Sequence, residues 1–363
     1  MASTSIPIER IDRESELLLA IESRLRELVP DEWKLDVTLG GRVVRRMADA
    51  VAQIEAPDGP AAQFVIEAKL RLDPRTAGDA IRQAMQLTVD LPDDVPRAAP
   101  LIVARFLSRR TRREIADRGA NYADATGNIR LVIDRPAIFI ANRGADRDPV
   151  PDERSLRSLK GAAAARAVLK LFEAELPVKL GDLAEQSGTS PAQTGRVIDL
   201  LDREAIVERG SRGSVVGIDR TKLIERWVED YSFTETNDAA LFLEPRSLDK
   251  LVERLRDAPF QYALTGSFAA KPISEYADAK LAQIYVDNIE RAAEELNLSR
   301  VMGGGNVFLA EPFDPVLFEW STEQEGLRYA PLGQIAGDLL TSPGRGPAEG
   351  EELLRVLEAR RGR

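Results

Sequence analysis

The chain has 363 residues, 44% of them hydrophobic and 30% charged, and a formal net charge of −10. This composition is typical of a globular protein with two or three domains, and no apolar run reaches the roughly 18 residues of a membrane span. The absence of cysteine and histidine excludes disulfides, Ser-His-Asp catalysis and most zinc or haem sites, so any catalysis is expected to use carboxylates with Mg²⁺ or Mn²⁺, and no nucleotide cofactor is expected.

A mixed α/β domain is predicted for residues 1–142. The first 30 residues show helical spacing of apolar positions, and their early charges are unlike a signal peptide, so a cytoplasmic protein is expected. Strands are predicted over residues 33–39, 48–56, 64–72, 99–107, 129–133 and 137–142, and further helices over residues 75–91 and 108–119.

One predicted strand contains Glu67 and Lys69, which alternation places on the same face. Asp49 begins the preceding strand and brings a second carboxylate, and Gln83 lies on the following helix. Asp49 and Glu67 are candidate ligands for Mg²⁺ or Mn²⁺, and Lys69 is the candidate cation that orients the attacking water in phosphodiester cleavage. A Glu-x-Lys pair also arises by chance, so an ordinary strand end reaching solvent remains the alternative.

The order of helix, Asp, Glu-x-Lys and Gln-bearing helix over residues 10–142 resembles the PD-(D/E)xK restriction-endonuclease-like fold. Ala48 stands where that pattern commonly has proline. The resemblance implies either a metal-dependent nuclease with Asp49, Glu67, Lys69 and Gln83 as catalytic residues, or the same fold retained for binding without activity. Glu22 on the first helix would then add an outer metal ligand.

The predicted helix over residues 108–119 concentrates four arginines: Arg109, Arg110, Arg112 and Arg113. A run of like charges is usually a solvated helix face. In a nuclease-like domain the same arginines would also suit phosphate contact along DNA. Both interpretations stay open.

Three helices and a β-ribbon are predicted for residues 157–220, after a linker rich in Pro, Asp and Arg at 143–156. Residues 154–222 contain 12 Lys and Arg against 9 Asp and Glu, a locally basic stretch in an acidic chain. The order is that of a winged helix-turn-helix, whose third helix enters the major groove of DNA. The candidate DNA contacts are Gln193, Thr194 and Arg196 near the start of that helix, and Arg209 and Arg212 on the ribbon.

The region 221–363 returns to an α/β pattern. The stretch "YALTGSFAA" resembles the Gly-Ser element of nucleotidyltransferase-like folds, in which Gly266 and Ser267 would begin a phosphate-holding helix. Asp287 follows on the next strand without an Asp-x-Asp partner, so a tight turn in a degenerate domain is favoured. Arg345 is either a further phosphate contact or part of an ordinary loop.

The stretch "ANYADATGNIRLVI" is predicted to turn around Asp124, Gly127 and Asn128. With the predicted winged module and the stretch "LLTSPGRGPAEGEELL", it resembles bacterial AbiEi-like proteins, the antitoxins and transcriptional repressors of type IV toxin–antitoxin pairs. The resemblance implies a regulator that binds double-stranded DNA and has a cognate toxin as partner. Winged modules often work as dimers, which makes a homodimer a further expectation.

The sequence therefore predicts an α/β multidomain protein with a restriction-endonuclease-like domain, a winged helix-turn-helix and a C-terminal nucleotidyltransferase-like domain. The leading hypothesis is a DNA-binding transcriptional regulator. The alternative is a Mg²⁺- or Mn²⁺-dependent DNA nuclease, targeted by the winged helix, in DNA repair or phage defence.

Overall fold

The computed structural model describes residues 6–40, 42–43, 46–57, 59, 61–89, 98–134, 137–150, 156–210, 213–274 and 279–361. The chain is an α/β protein with two mixed seven-stranded sheets. It divides into two compact units, residues 1–155 with 203–205 and residues 156–202 with 206–363. The predicted domain limits at 142, 157 and 221 stay predictions. Within the described ranges, every helix is too short or too polar to cross a membrane.

The first unit is built on one seven-stranded sheet. Its elements are α1 (Glu14–Leu28), β1 (Lys34–Leu39), β2 (Arg42–Val43), β3 (Arg46–Met47), β4 (Ala50–Glu55), β5 (Ala61–Lys69), α2 (Pro74–Val89), β6 (Ala98–Ala104), α3 (Arg109–Asp117), β7 (Asn121–Asp124), β8 (Ile129–Ile133) and β9 (Ile138–Asn142). The strand order is β1-β4-β5-β6-β7-β8-β9, and β2 pairs with β3 in a separate ribbon. The β5–β6 and β6–β7 pairs are parallel and the other pairs of this sheet are antiparallel.

This arrangement confirms the predicted order of helices and strands in the first unit and adds the short strands β2, β3 and β7. Residues 121–124 had no predicted bounds, although a β segment was expected before the turn at Asp124, because "NYAD" is short and has no run of apolar residues. It forms a strand because β6 supplies a parallel partner on one side and β8 an antiparallel partner on the other.

Both faces of the first sheet are covered near its centre. On one face α1 buries Leu17, Ile21 and Leu25, spaced four residues apart, in a core that includes Phe64 and Ile66 of β5. On the other face α2 buries Ala77, Ile81 and Ala84 in a core that includes Ile102 of β6. A strand covered on both sides is buried along most of its length, so β5 carries even Glu67 out of solvent.

The second unit begins with three helices and a ribbon and continues as a second seven-stranded sheet. Its elements are α4 (Ala162–Glu173), α5 (Leu180–Gln186), α6 (Pro191–Arg203), β10 (Val207–Arg209), β11 (Val215–Ile218), α7 (Arg220–Trp227), α8 (Phe233–Thr236), β12 (Asp238–Leu243), α9 (Leu248–Arg254), β13 (Tyr262–Thr265), α10 (Gly266–Ala270), β14 (Ala282–Val286), α11 (Ile289–Glu295), β15 (Ser299–Arg300), β16 (Val307–Glu311), α12 (Val316–Glu319), β17 (Thr322–Gln324), β18 (Leu327–Tyr329), α13 (Leu332–Leu340) and α14 (Gly346–Arg361). The ribbon joins β10 to β11, and the sheet order is β15-β12-β16-β14-β13-β18-β17.

The second unit has one continuous hydrophobic core, which extends in the chain from Leu159 to Leu357. Trp227 on α7 is fully buried in it, and its ring stacks on Tyr231 with centroids 4.3 Å apart. The three-helix module and the second sheet contribute side chains to this same core.

Candidate functional site

The structure brings Asp49, Glu67 and Lys69 together at the C-terminal end of β5. Ala50 of β4 lies opposite Ile66 of β5, so Asp49, the residue before β4, lies next to Glu67. The Asp49 Oδ2 atom accepts a hydrogen bond from the Ala68 backbone N–H at 2.8 Å. The Lys69 Nζ atom lies 2.5 Å from Glu67 Oε1. We call these three residues the carboxylate–lysine cluster.

The Glu67 side chain is the most unusual member of the carboxylate–lysine cluster. The residue is 0% exposed. Its Oε1 atom is ion-paired with Lys69, whereas Oε2 has no hydrogen-bond partner among the described residues. Such a buried, incompletely satisfied carboxylate is costly, and it is the kind of group that a cation would stabilise.

The burial of Glu67 and the charges around it shift the pKa values of Glu67 and Lys69. Burial raises the pKa of Glu67, Lys69 opposes that rise, and the negative charges of Asp49 and Glu14 add to it. For Lys69, burial alone would lower the pKa, but the carboxylates of Glu67, Asp49 and Glu14 reverse this and the net pKa is raised. Lys69 is therefore a permanent cation at neutral pH.

The α1 carboxylate that acts on the cluster is Glu14, which sequence reasoning missed. Glu22, the residue expected as an outer ligand, forms an ion pair with Arg26 on the same helix, with Oε1 2.7 Å from Nη2. Glu14 and Glu22 are eight positions apart, which corresponds to about 12 Å along a helix, so both carboxylates cannot serve one ion. The sequence feature that could have pointed to Glu14 was its position in the first turn of α1.

Gln83 lies on the exposed side of α2. In the described part of the chain it makes no hydrogen bond to the carboxylate–lysine cluster. Over the same described ranges, no group of three or more Asp, Glu, His or Cys is arranged to hold a metal ion. Two carboxylates, Asp49 and Glu67, are thus the side-chain donors at this position. Carboxylate oxygens are the donors that a hard cation such as Mg²⁺ or Mn²⁺ prefers, so Asp49 and Glu67 fit such an ion.

The expected DNA-contacting helix is α6. Gln193 and Arg196 are exposed on its first half, and Val197, Ile198 and Leu201 are buried on its opposite side. Residues 191–198 include no carboxylate, whereas Asp199 and Asp202 lie in the second half. The N-terminal half of α6 is therefore the part whose charge suits an approaching phosphate backbone.

Two of the predicted DNA contacts need correction. Thr194 is 0% exposed and its Oγ1 lies 2.6 Å from Thr189 Oγ1, so it stabilises the turn before α6 and cannot reach DNA here. Arg209 on the ribbon is bonded to Asp199 and its Nε lies 4.0 Å from Asp202 Oδ2, so its charge is neutralised within the module. Arg212 lies outside the described residues.

The arginines of α3 do not all face solvent. Arg112 is largely buried and bonded to the Asn128 side chain, and its Nη2 lies 3.7 Å from Asp146 Oδ1. Arg109 is exposed and lies 4.0 Å from the same carboxylate. Arg110 is half-buried and Arg113 is exposed. The run thus divides into structural arginines and free ones, which its sequence does not reveal.

The turn at residues 124–128 has a structural explanation. The Asp124 carboxylate accepts hydrogen bonds from the backbone N–H groups of Leu107, Thr126 and Asn128 at 2.9–3.0 Å. Gly127 has φ +98°, a conformation that favours glycine. Asn128 Nδ2 donates to the Ala145 carbonyl at 2.9 Å, so the turn also holds the start of the predicted linker.

The turn at Gly266 and Ser267 is closed to a ligand. Gly266 has φ +63°, and a Cβ placed there would lie 2.2 Å from Gln283 Oε1. Ser267 donates to the Glu349 carboxylate, and α10 has only five residues. The favoured interpretation, a tight strand-to-helix turn, agrees with this packing.

A polar network surrounds Asp338 inside the second unit. Its carboxylate accepts hydrogen bonds from Thr265 Oγ1 and Tyr231 OH, both at 2.6 Å, and from Gln334 Nε2 at 2.8 Å. Tyr285 OH lies 3.0 Å from both Asp338 oxygens. Burial raises the pKa of Asp338 to about 6, and these hydrogen bonds limit the rise. Sequence patterns had not singled out this residue.

No family model, no curated protein and no solved structure matches this chain. The geometry of the sites is therefore the basis on which a function can be assigned.

Proposed function

We propose that the protein binds double-stranded DNA through α6 and acts as a transcriptional regulator of the AbiEi-like type. The observation that carries this proposal is the first half of α6, where exposed Gln193 and Arg196 stand on a helix whose other side is anchored in the core. A cognate toxin and a homodimer belong to the same proposal as expected partners.

The surrounding module supports this use of α6. Helices α4 and α5 precede it and the β10–β11 ribbon follows, which is the element order in which a third helix is presented to the major groove. Side chains such as Gln and Arg read base edges by paired hydrogen bonds. With a net charge of −10, attraction to DNA must come from a local surface of this kind rather than from the chain as a whole.

The test is the affinity of the purified protein for labelled duplex DNA from the region upstream of its own gene. Arg196→Ala is expected to weaken binding about 5- to 100-fold, the cost of one base or phosphate contact. Alanine suits an exposed helical position, so circular dichroism should show an unchanged fold. Arg24→Gln on α1 removes the same charge elsewhere and should bind normally. Equal affinities for Arg196→Ala and the parent would remove α6 from the proposal.

A second candidate, cleavage of DNA, is favoured by the buried carboxylate of Glu67, whose Oε2 atom has no hydrogen-bond partner among the described residues. Asp49 and Glu67 would hold a Mg²⁺ or Mn²⁺ ion, which supplies Lewis-acid activation of the phosphodiester. Lys69, held as a cation by the neighbouring carboxylates, would orient the attacking water and stabilise the charge that develops on the phosphate.

The same labelled duplex distinguishes the two candidates when it is incubated with Mn²⁺ and run on native and denaturing gels. Cleavage by the cluster predicts short fragments that EDTA abolishes and that Glu67→Gln lacks. Glu22→Gln, which alters a surface ion pair of α1, is the matched control and should cut as the parent does. A shifted band without fragments would leave the carboxylate–lysine cluster without a catalytic role.

A further inference from the structure

The first unit has a groove of about 860 Å³ that takes no part in duplex binding by α6 or in cleavage at the carboxylate–lysine cluster. It lies between α3 and the outer strands of the sheet, and we call it the arginine groove. The side chains that matter here are Arg113, Arg130, Arg143, Tyr122 and Phe139.

The sheet register explains why these residues share one surface. Tyr122 of β7 lies opposite Arg130 of β8, and Arg130 lies opposite Ala141 of β9. Directly opposed residues of antiparallel strands point to the same face. Phe139 is two residues from Ala141, so it points to that face as well. The other face, with Leu131 and Ile133, is packed in the core beside α1.

The described residues of the arginine groove include more arginines than carboxylates. Among the described residues that line it, Asp146 is the one carboxylate, and it already faces Arg109 and Arg112. Arg113, Arg130 and Arg143 have no carboxylate within 4.0 Å among the residues that the structure describes. Three guanidinium groups without acidic partners make a surface that is complementary to a chain of phosphates.

Phe139 adds a second kind of chemistry to the arginine groove. It is 75% exposed on the edge strand β9, whereas most large apolar side chains of this unit are buried. An exposed aromatic ring among arginines is the arrangement on which an unstacked base lies, with its phosphates held by the cations. The bases of a duplex are stacked on one another, so their faces are closed to such a ring.

We propose that the arginine groove binds single-stranded DNA, with one base stacked on Phe139 and neighbouring phosphates contacted by Arg113, Arg130 and Arg143. The groove volume is in the range of ligand sites that take a few nucleotides rather than both strands of a helix. Recognition of RNA needs contacts to the 2′-hydroxyl. The choice of DNA over RNA rests on the DNA binding proposed for α6, and the comparison of oligo-dT with oligo-U tests it.

The test measures fluorescence anisotropy of a labelled 12-residue oligo-dT and of an abasic strand of the same length. Phe139→Ala is expected to weaken oligo-dT binding about tenfold, a loss in the range of one stacked base, and to leave abasic-strand binding unchanged. Phe139→Trp should restore the affinity for oligo-dT. Because Phe139 is exposed, its replacement should leave the fold intact, which circular dichroism checks.

The phosphate contacts are tested through salt dependence. Arg130→Gln and Arg143→Gln should each weaken binding of both strands and reduce the slope of log K against log salt by about 0.7. Arg24→Gln on the opposite face of the sheet is the control and should change neither quantity. Arg196→Ala should bind oligo-dT normally, which separates this inference from the duplex binding assigned to α6.

Three results would overturn the inference. They are unchanged oligo-dT affinity in Phe139→Ala, equal losses for oligo-dT and the abasic strand in that variant, and tighter binding of oligo-U than of oligo-dT.

Discussion

At the scale of single residues, Asp338 gives the chain a calculable pH dependence. Its folded-state pKa is raised from 3.8 to about 6 because the carboxylate is completely buried. A raised pKa means that the native state holds this proton over a pH range in which the unfolded state has released it. The free energy of unfolding therefore falls as pH rises from about 4 to about 6, and the effect is constant above that range.

The Asp338→Asn variant should not show this fall in the free energy of unfolding between about pH 4 and about pH 6. The two-unit shift corresponds to about 3 kcal/mol of stability lost between the two pH values in the parent. Asparagine preserves the shape, and its amide can donate to the hydroxyl groups of Tyr231 and Tyr285. Urea unfolding at several pH values between 4 and 7 measures the slope, with Asp287→Asn as an exposed control. A parent and an Asp338→Asn variant with parallel pH profiles would contradict the assignment.

At the scale of elements, α13 depends on two glycines placed four residues apart on one face. Cβ atoms at Gly333 and Gly337 would lie 3.1 Å from Leu169 of α4 and 2.6 Å from Trp227 of α7. The missing side chains allow α13 to approach both helices closely. The sequence "LGQIAGDLL" shows the spacing, but it does not name the partners.

Gly337→Ala is expected to destabilise the protein by about 1–3 kcal/mol, because Trp227 is fully buried and has no room to shift. Gly181→Ala on α5 is the matched control, since nothing lies within 4 Å of its added Cβ. That variant should be stabilised by up to about 1 kcal/mol through helix propensity. Urea denaturation measures the change in the free energy of unfolding of each variant, which should be negative for Gly337→Ala and positive for Gly181→Ala. Destabilisation of similar size in both would argue against close packing as the cause.

At the scale of the whole molecule, the two units have separate hydrophobic cores. The core of the second unit includes residues from Leu159 onward, and the cores of the first unit include residues up to Ile138. Proteins with more than one compact unit commonly depart from two-state unfolding, so we expect two transitions here. Scanning calorimetry should show a calorimetric enthalpy larger than the van't Hoff enthalpy, with Gly337→Ala moving one transition. A single two-state transition would contradict this division.

Local patterns in the sequence determined the elements. Apolar spacing predicted α1, α4 and α6, alternating or apolar runs predicted β4, β5 and β6, and strand periodicity placed Glu67 and Lys69 on one face. Such patterns depend on neighbours three or four positions away in a helix and two in a strand, so a window of a few residues contains them.

The tertiary structure alone decided which polar side chains are free to act. Arg113 and Arg209 look alike in the sequence, yet Arg209 is neutralised by Asp199, ten residues away. Thr194 is buried by its module, and Glu14 rather than Glu22 acts on Glu67. The arginine groove is assembled from α3, β7, β8 and β9, and the Asp338 network from residues up to 107 positions apart. Burial and charge pairing depend on through-space neighbours, which no short stretch of sequence contains.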